Sequence, residues 1–126
     1  MPSKMTVDHG YFNTQAEALR DIASTGFWPT TYVSDASPEL PLHHHNYDII
    51  GYVIEGETYV LNENNERIDI KAGDRLNIPK GARHAEGKVT DRVTYIVSIS
   101  DPIPFIEALA PVDPQGPFPE ADRPGA

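Results

Sequence analysis

Between Thr30 and Ser100 apolar and polar positions alternate in short runs: TTYVS, PLHHH, DIIGYVIEG, ETYVLN, ERIDI, DRLNI, RHAEG and VTYIVSIS. Alternation with period two is the mark of a half-buried strand, because successive side chains point to opposite faces. Turn chemistry separates the runs at Glu55-Gly56, Asn64-Asn65, Ala72-Gly73 and Pro79-Lys80-Gly81. About eight short, evenly spaced strands in roughly 70 residues predict an all-β unit, an antiparallel barrel or jelly roll. Within DIIGYVIEG, alternation places Ile49 and Val53 on the interior face as an apolar wall. Ile50, Tyr52 and Ile54 then face outward and need cover from a helix or a second subunit.

Before Thr30 the period changes. Thr14 and Glu17 have the spacing of a capping box, Leu19, Ile22 and Ala23 share one helical face, and Gly26 can end the helix. The spacing predicts a helix at about 15–24. After Ser100 the pattern fails, and seven of the twelve prolines lie between Asp101 and Ala126. A short helix over Phe105–Ala110, bounded by Pro104 and Pro111, is compatible with this segment. Beyond Pro111 an extended arm is expected, either disordered or packed along a neighbouring subunit through Phe105, Ile106, Leu109 and Phe118. The organisation is thus 1–29 with one helix, 30–100 as the β unit, and 101–126 as a Pro-rich arm.

Composition narrows the function. The chain has 126 residues, a formal charge of −9, five His and no Cys. The length suits one domain. Without Cys there is no disulfide, no thiol nucleophile and no thiolate metal site. The acidity disfavours nucleic acid and anionic membranes as partners, and no apolar run approaches a membrane span. MPSKMTVDHG lacks a secretory signal, so a soluble cytoplasmic protein is the default expectation. Five acids and one base lie in 101–126, so almost half the net charge sits in the arm.

Three of the His are consecutive: His43, His44 and His45. On a strand His43 and His45 share a face and His44 takes the other. Two imidazoles so placed can chelate a divalent cation, or can form a polar strand end bonded to water or core carbonyls. A second element, GDRLNIPKGARH, places a tight turn ahead of His84 and can bring its imidazole against the pair. His44, facing away, and His9, in an N-terminus expected to be mobile, are bystanders. Trp28 is read as a packing residue.

These two segments resemble the motifs of the cupin superfamily, a small β-barrel fold. In HHHNYDIIGYVIEG, His43-x-His45 and Gly56 match the first motif; Gly73, Pro79, Gly81 and His84 match the second. The resemblance covers about 30–100 and implies a cupin-type antiparallel β-barrel (jelly roll). It implies a metal set of His43, His45 and His84. Ile49 stands where the family usually has its Glu ligand, and Lys88 where it usually has Asn. Asp48 is a possible additional ligand only if a bulge turns it inward. The site is therefore expected to be all-imidazole, with no protein carboxylate.

A three-His set resembles that of cupin iron dioxygenases acting on thiols or diketones. Fe(II) is favoured on that likeness, with Zn, Ni, Cu or Mn compatible with three imidazoles. The implied function is metal-dependent chemistry on a small organic molecule, dioxygenase-like oxidation first and isomerase or lyase chemistry next. The alternative is a non-catalytic cupin module that binds a small ligand or metal. Tyr59, Arg67, Arg75, Arg83 and Tyr95 could hold a substrate anion if they point inward. No residue is an evident general acid or base, and GKVTDR lacks the ending of a phosphate-binding loop. A homodimer is expected from the outward apolar residues and from the edge strands of a small barrel.

Overall fold

The structure is a computed structural model that describes residues 4–100. The expected arm over 101–126, with the helix over Phe105–Ala110, lies outside the described residues. The elements run β1 (Thr6–Asp8), α1 (Gln15–Thr25), β2 (Trp28–Ser34), β3 (Ile49–Glu55), β4 (Glu57–Leu61), β5 (Arg67–Lys71), β6 (Arg75–Ile78), β7 (Ala85–Glu86) and β8 (Val93–Ile99). They form a five-stranded sheet of order β1-β6-β3-β8-β2 and a three-stranded sheet of order β5-β4-β7. Every strand pairing is antiparallel. Among the described residues the sheets share no ladder, so the predicted barrel is a two-sheet jelly roll.

The alternation read from the sequence fills this frame. Val53, Val60, Ile70, Leu76, Ile78 and Val93 are buried in one cluster with Met5, Ala82 and Val89, and Ile49 packs against it. Burying one such side chain contributes about 1.5–3 kcal/mol. On the other face of β3, Tyr52 is buried with Phe12, Ala18, Ile22 and Ile96, and Ile50 and Ile54 pack against them. The helix α1 thus covers the outward residues of β3 that had argued for a partner subunit.

Helix α1 starts at Thr14, whose Oγ1 accepts from Glu17 N at 3.1 Å, and ends at Gly26, left-handed at φ 77°. The capping box is only half formed: Glu17 Oε1 accepts from the Thr14 hydroxyl and not from its backbone amide. At Gly56, between β3 and β4, φ is 90° and a Cβ would collide with the Arg92 carbonyl oxygen, so only glycine fits.

The N-terminus departs from expectation. Residues Thr6–Asp8 pair with Asn77–Arg75 of β6. Buried Asp74 accepts from Gly10 N and Lys71 N at 2.9 Å and meets His9 Nδ1 at 3.2 Å. Three residues are too few to show a period in the sequence, and the anchor, Asp74, is 66 positions past Asp8 along the chain.

Candidate metal centre

Two extended segments meet at one end of the sandwich. Ser37 and Val89 exchange both backbone bonds at 2.9 Å, Leu40 N donates to Glu86 O at 3.0 Å, and His43 and His84 exchange bonds at 2.9 and 3.0 Å. The run PLHHH, predicted as a strand, is an isolated bridge at His43–His84. Pro38 and Pro41 have no N–H to donate, so a continuous ladder cannot form.

The bridge sets His43 directly opposite His84. Residues opposed across a pair project to the same face, and so do residues two apart on one segment. Hence His45 joins His43, and Glu86 joins His84. The ring centroids of the three imidazoles are 4.7, 5.0 and 5.1 Å apart. One donor atom from each of His43, His45, His84 and Glu86 lies within 4.8 Å of the others.

The all-imidazole expectation is corrected at this point. Glu86 supplies a carboxylate from the second motif, while Ile49, at the position of the missing carboxylate in the first, packs against the inner core. The signal was in the sequence: His84-x-Glu86 repeats the spacing of His43-x-His45. A search for the carboxylate only in the first motif passes over it.

The imidazoles are set for ligation. His43 Nδ1 lies 2.8 Å from Pro41 O, and His84 Nδ1 lies 3.0 Å from Ala82 O. A carbonyl oxygen only accepts, so each Nδ1 carries the proton and each Nε2 of the neutral ring presents its lone pair inward. His84 is fully buried. Its Nε2 and the Glu86 Oε2 are buried without a hydrogen-bond partner among the described residues. His43 Nε2 comes within 3.0 Å of that Oε2 and His84 Nε2 within 3.4 Å of Oε1, but these atoms are close without hydrogen-bond alignment at the two orphans. Buried polar atoms without partners are costly, and a cation between them removes that cost. Donors at metal bonds of about 2.0–2.2 Å lie about 3–4 Å from one another, and the four here all lie within 4.8 Å, so small side-chain shifts would bring them onto one ion. Three nitrogens and one carboxylate fit a divalent transition metal.

Electrostatics distinguish the rings. Burial works against the charged form of His84, but the Glu86 carboxylate outweighs it and holds the imidazole above its usual range. Burial, then the charge of His84, pushes His45 below its usual range. Burial would raise Glu86, but the adjacent His84 holds it below the ordinary carboxylate value.

The other sequence candidates lie elsewhere. Asp48 Oδ1 accepts from Lys80 N at 2.8 Å, so it caps the turn and stands outside the donor group. Arg75 points to the outer face of β6, opposite in alternation to buried Leu76 and Ile78, and pairs with Asp8 and Asp21 at 2.8 Å. Arg67 stacks 4.1 Å from the Tyr59 ring centre and pairs with Asp69, while the Tyr59 hydroxyl donates to Glu39 at 2.6 Å. Both line a groove of about 670 Å³ that none of the four donor residues lines. Arg83 and His44 are exposed, and Tyr95 packs half-buried against the inner core with Ile49. Val53 is fully buried inside that core and so contributes packing beneath the site.

The profile of the cupin domain matches residues 33–100, more than half of the chain. The protein belongs to the cupin family. Among curated proteins none matches it. A DUF861 family protein from Thermotoga maritima is similar in structure, with a TM-score of 0.55 and 20% identity over 75% of this chain and 98% of that one. A DMSP lyase from Ruegeria pomeroyi gives 0.52 and 21% over 60% of this cupin and 38% of the lyase. An RmlC-like cupin from Shewanella frigidimarina gives 0.50 and 21% over 60% and 67%. At these identities the likeness establishes the fold, that of a cupin domain. No helix among the described residues is long and apolar enough to cross a membrane.

Proposed function

We propose that this cupin holds a divalent transition metal on His43, His45, His84 and Glu86 and acts on a small organic molecule at the same centre. One observation carries the reading: among the described residues His84 Nε2 and Glu86 Oε2 are buried without hydrogen-bond partners. When bound, the ion supplies Lewis-acid polarisation of a substrate oxygen or sulfur and, as Fe(II), dioxygen chemistry. The Pro41 and Ala82 carbonyls fix the ring tautomers of His43 and His84, and Glu86 offsets one of the two positive charges. Four protein donors leave positions for substrate in a five- or six-coordinate shell.

Within this class, dioxygenase-like oxidation with Fe(II) is the first reading, because three imidazoles and one carboxylate would leave a six-coordinate centre open to two further ligands. Isomerase or lyase chemistry is the second. A specific observation favours it: Glu86 is a carboxylate inside the site that can accept a substrate proton. A DMSP lyase is among the fold relatives, which makes elimination a reasonable reaction to assay.

Metal analysis of protein purified without a His tag tests the centre, with roughly one transition-metal ion per chain expected. A content under about a fifth of that would refute it. Oxygen uptake by the Fe(II)-loaded protein on thiols, diketones and catechols tests the first reaction type, and anaerobic turnover supports the second. Saturable ligand binding without turnover under every metal would instead make this cupin a binding module. For quaternary structure the proposal is a homodimer through β2, an edge strand whose second side is unpaired among the described residues. Sedimentation as a monomer at micromolar concentration would exclude it.

A further inference from the structure

The segment that carries His43 and His45 has an outer face as well as an inner one. Leu40, Leu42 and His44 alternate with the two ligands and are exposed, at 44% and 38% for the leucines. Tyr47, 48% exposed, continues the patch. Among the described residues, three of the six large exposed apolar side chains therefore fall within eight positions on the ligand segment and the bend that follows it. Beside them the turn 79–83 presents Lys80 and Arg83, whose side chains have no ion pair among the described residues. Arg83 lies between buried Ala82 and buried His84 and so shares the outer face with His44.

The chain leaves the described fold at this place. Ser100 N donates to Asp48 O at 3.0 Å, and Ser100 Oγ accepts from Asp48 N at 3.2 Å. Asp48 is next to Tyr47 and also binds Lys80 N. Residues 101–126 begin there, and 101–112 carry apolar Ile103, Phe105, Ile106 and Leu109 with two acids, Asp101 and Glu107, and no base. Seven residues separate Tyr47 from Leu40, at most about 25 Å of extended chain, and nine residues of the arm reach about 30 Å.

We infer that the first part of the C-terminal arm, residues 101–112, docks on the exposed apolar residues Leu40, Leu42 and Tyr47, with Asp101 and Glu107 against Lys80 and Arg83. The segment combines apolar residues with acids, and the exposed patch combines apolar residues with the basic Lys80 and Arg83. Its tether keeps its local concentration high, on the order of millimolar. Docking would hold the ligand segment from behind. That segment needs support, because Pro38 and Pro41 interrupt its ladder.

The absence of native Cys allows a clean trap. Under mild oxidation, Leu42→Cys with Phe105→Cys should form an intrachain disulfide at least about tenfold faster than the control pair Leu19→Cys with Phe105→Cys. Leu19 is also exposed, at 44%, but lies on α1. Equal rates would overturn the proposal, as would a link forming only between chains, which would assign the patch to a second copy. A measurement without new cysteines stands beside it. Ending the chain after Ser100 should speed hydrogen exchange at the Leu40 and His43 amides by roughly tenfold, with amides of β3 and β8 unchanged. Unchanged exchange at Leu40 and His43 would overturn it. Neither test depends on whether metal binds.

Discussion

Two clusters of charge lie on the two sides of the five-stranded sheet. Outside, beneath α1, Asp21 accepts from Tyr52 at 2.6 Å, from Tyr11 at 2.7 Å and from Arg75 at 2.8 Å, and Asp8 accepts from Arg75 and Asn77 at 2.9 Å. Arg75 also stacks 3.8 Å from the Tyr11 ring centre. Inside, three imidazoles and a carboxylate converge, and two buried atoms have no hydrogen-bond partner among the described residues. The first cluster is saturated with bonds and needs nothing further. The second brings together four donor atoms that could hold a cation. Sequence motifs mark the inner cluster, but the count of satisfied donors and acceptors is what separates a structural network from a site.

The sharpest way to break this contrast is at His84. His84→Ala should cost more than about 100-fold in metal affinity by titration calorimetry, since it removes a ligand outright. Its metal-free fold should remain intact by circular dichroism. Retained stoichiometric metal would mean that the three other donors suffice. Glu86→Gln should weaken metal binding about 10- to 100-fold, and an unchanged affinity would return the site to three imidazoles.

Arg75→Met should do the opposite. It strands two carboxylates beneath α1 and should cost about 3 kcal/mol by urea unfolding, the low end for a buried pair because Arg75 keeps 19% exposure. Metal stoichiometry should not change; if it fell, the two clusters would be coupled. Tyr52→Phe removes one charge-assisted bond to Asp21 and should cost about 1.5–2 kcal/mol.

The smallest effect is acid sensitivity of the outer cluster. Burial alone would raise Asp21, but its bonds from Tyr52, Tyr11 and Arg75 outweigh burial and hold it below the usual carboxylate value. Asp8 is lowered chiefly by its bond from Asn77. Carboxylates depressed in the folded state contribute stability that is present above their unfolded value near 3.8. That stability is lost as pH falls through the lower folded values. Unfolding free energy should therefore drop below about pH 4, and less steeply in Asp21→Asn. An identical slope in that variant would remove Asp21 from the account.

Much of this was legible from the sequence. Period two in DIIGYVIEG separated Ile49 and Val53 from Ile50, Tyr52 and Ile54, and the structure buries them in two different clusters. The capping residues set α1 within one residue of its observed end. PLHHH misled because alternation reports which face a side chain takes, and not whether its backbone is paired. Arg75 was a candidate ligand holder because an arginine on a strand has two possible faces, and the partners that fix it, Asp8 and Asp21, are 67 and 54 positions away. Glu86 was present in plain spacing, but its role depends on the bridge that sets His84 opposite His43.

The sequence by itself determined the period, the turns, the helix ends and the imidazoles that share a face, because these follow from neighbours a few residues apart. The tertiary structure decided what meets across the chain. It closed His43 against His84, brought Glu86 in as the fourth donor, and turned Arg75 out to the acids beneath the helix. Each of those outcomes rests on contacts between residues at least 41 positions apart, where local propensity carries no information and packing of the two sheets chooses the partner.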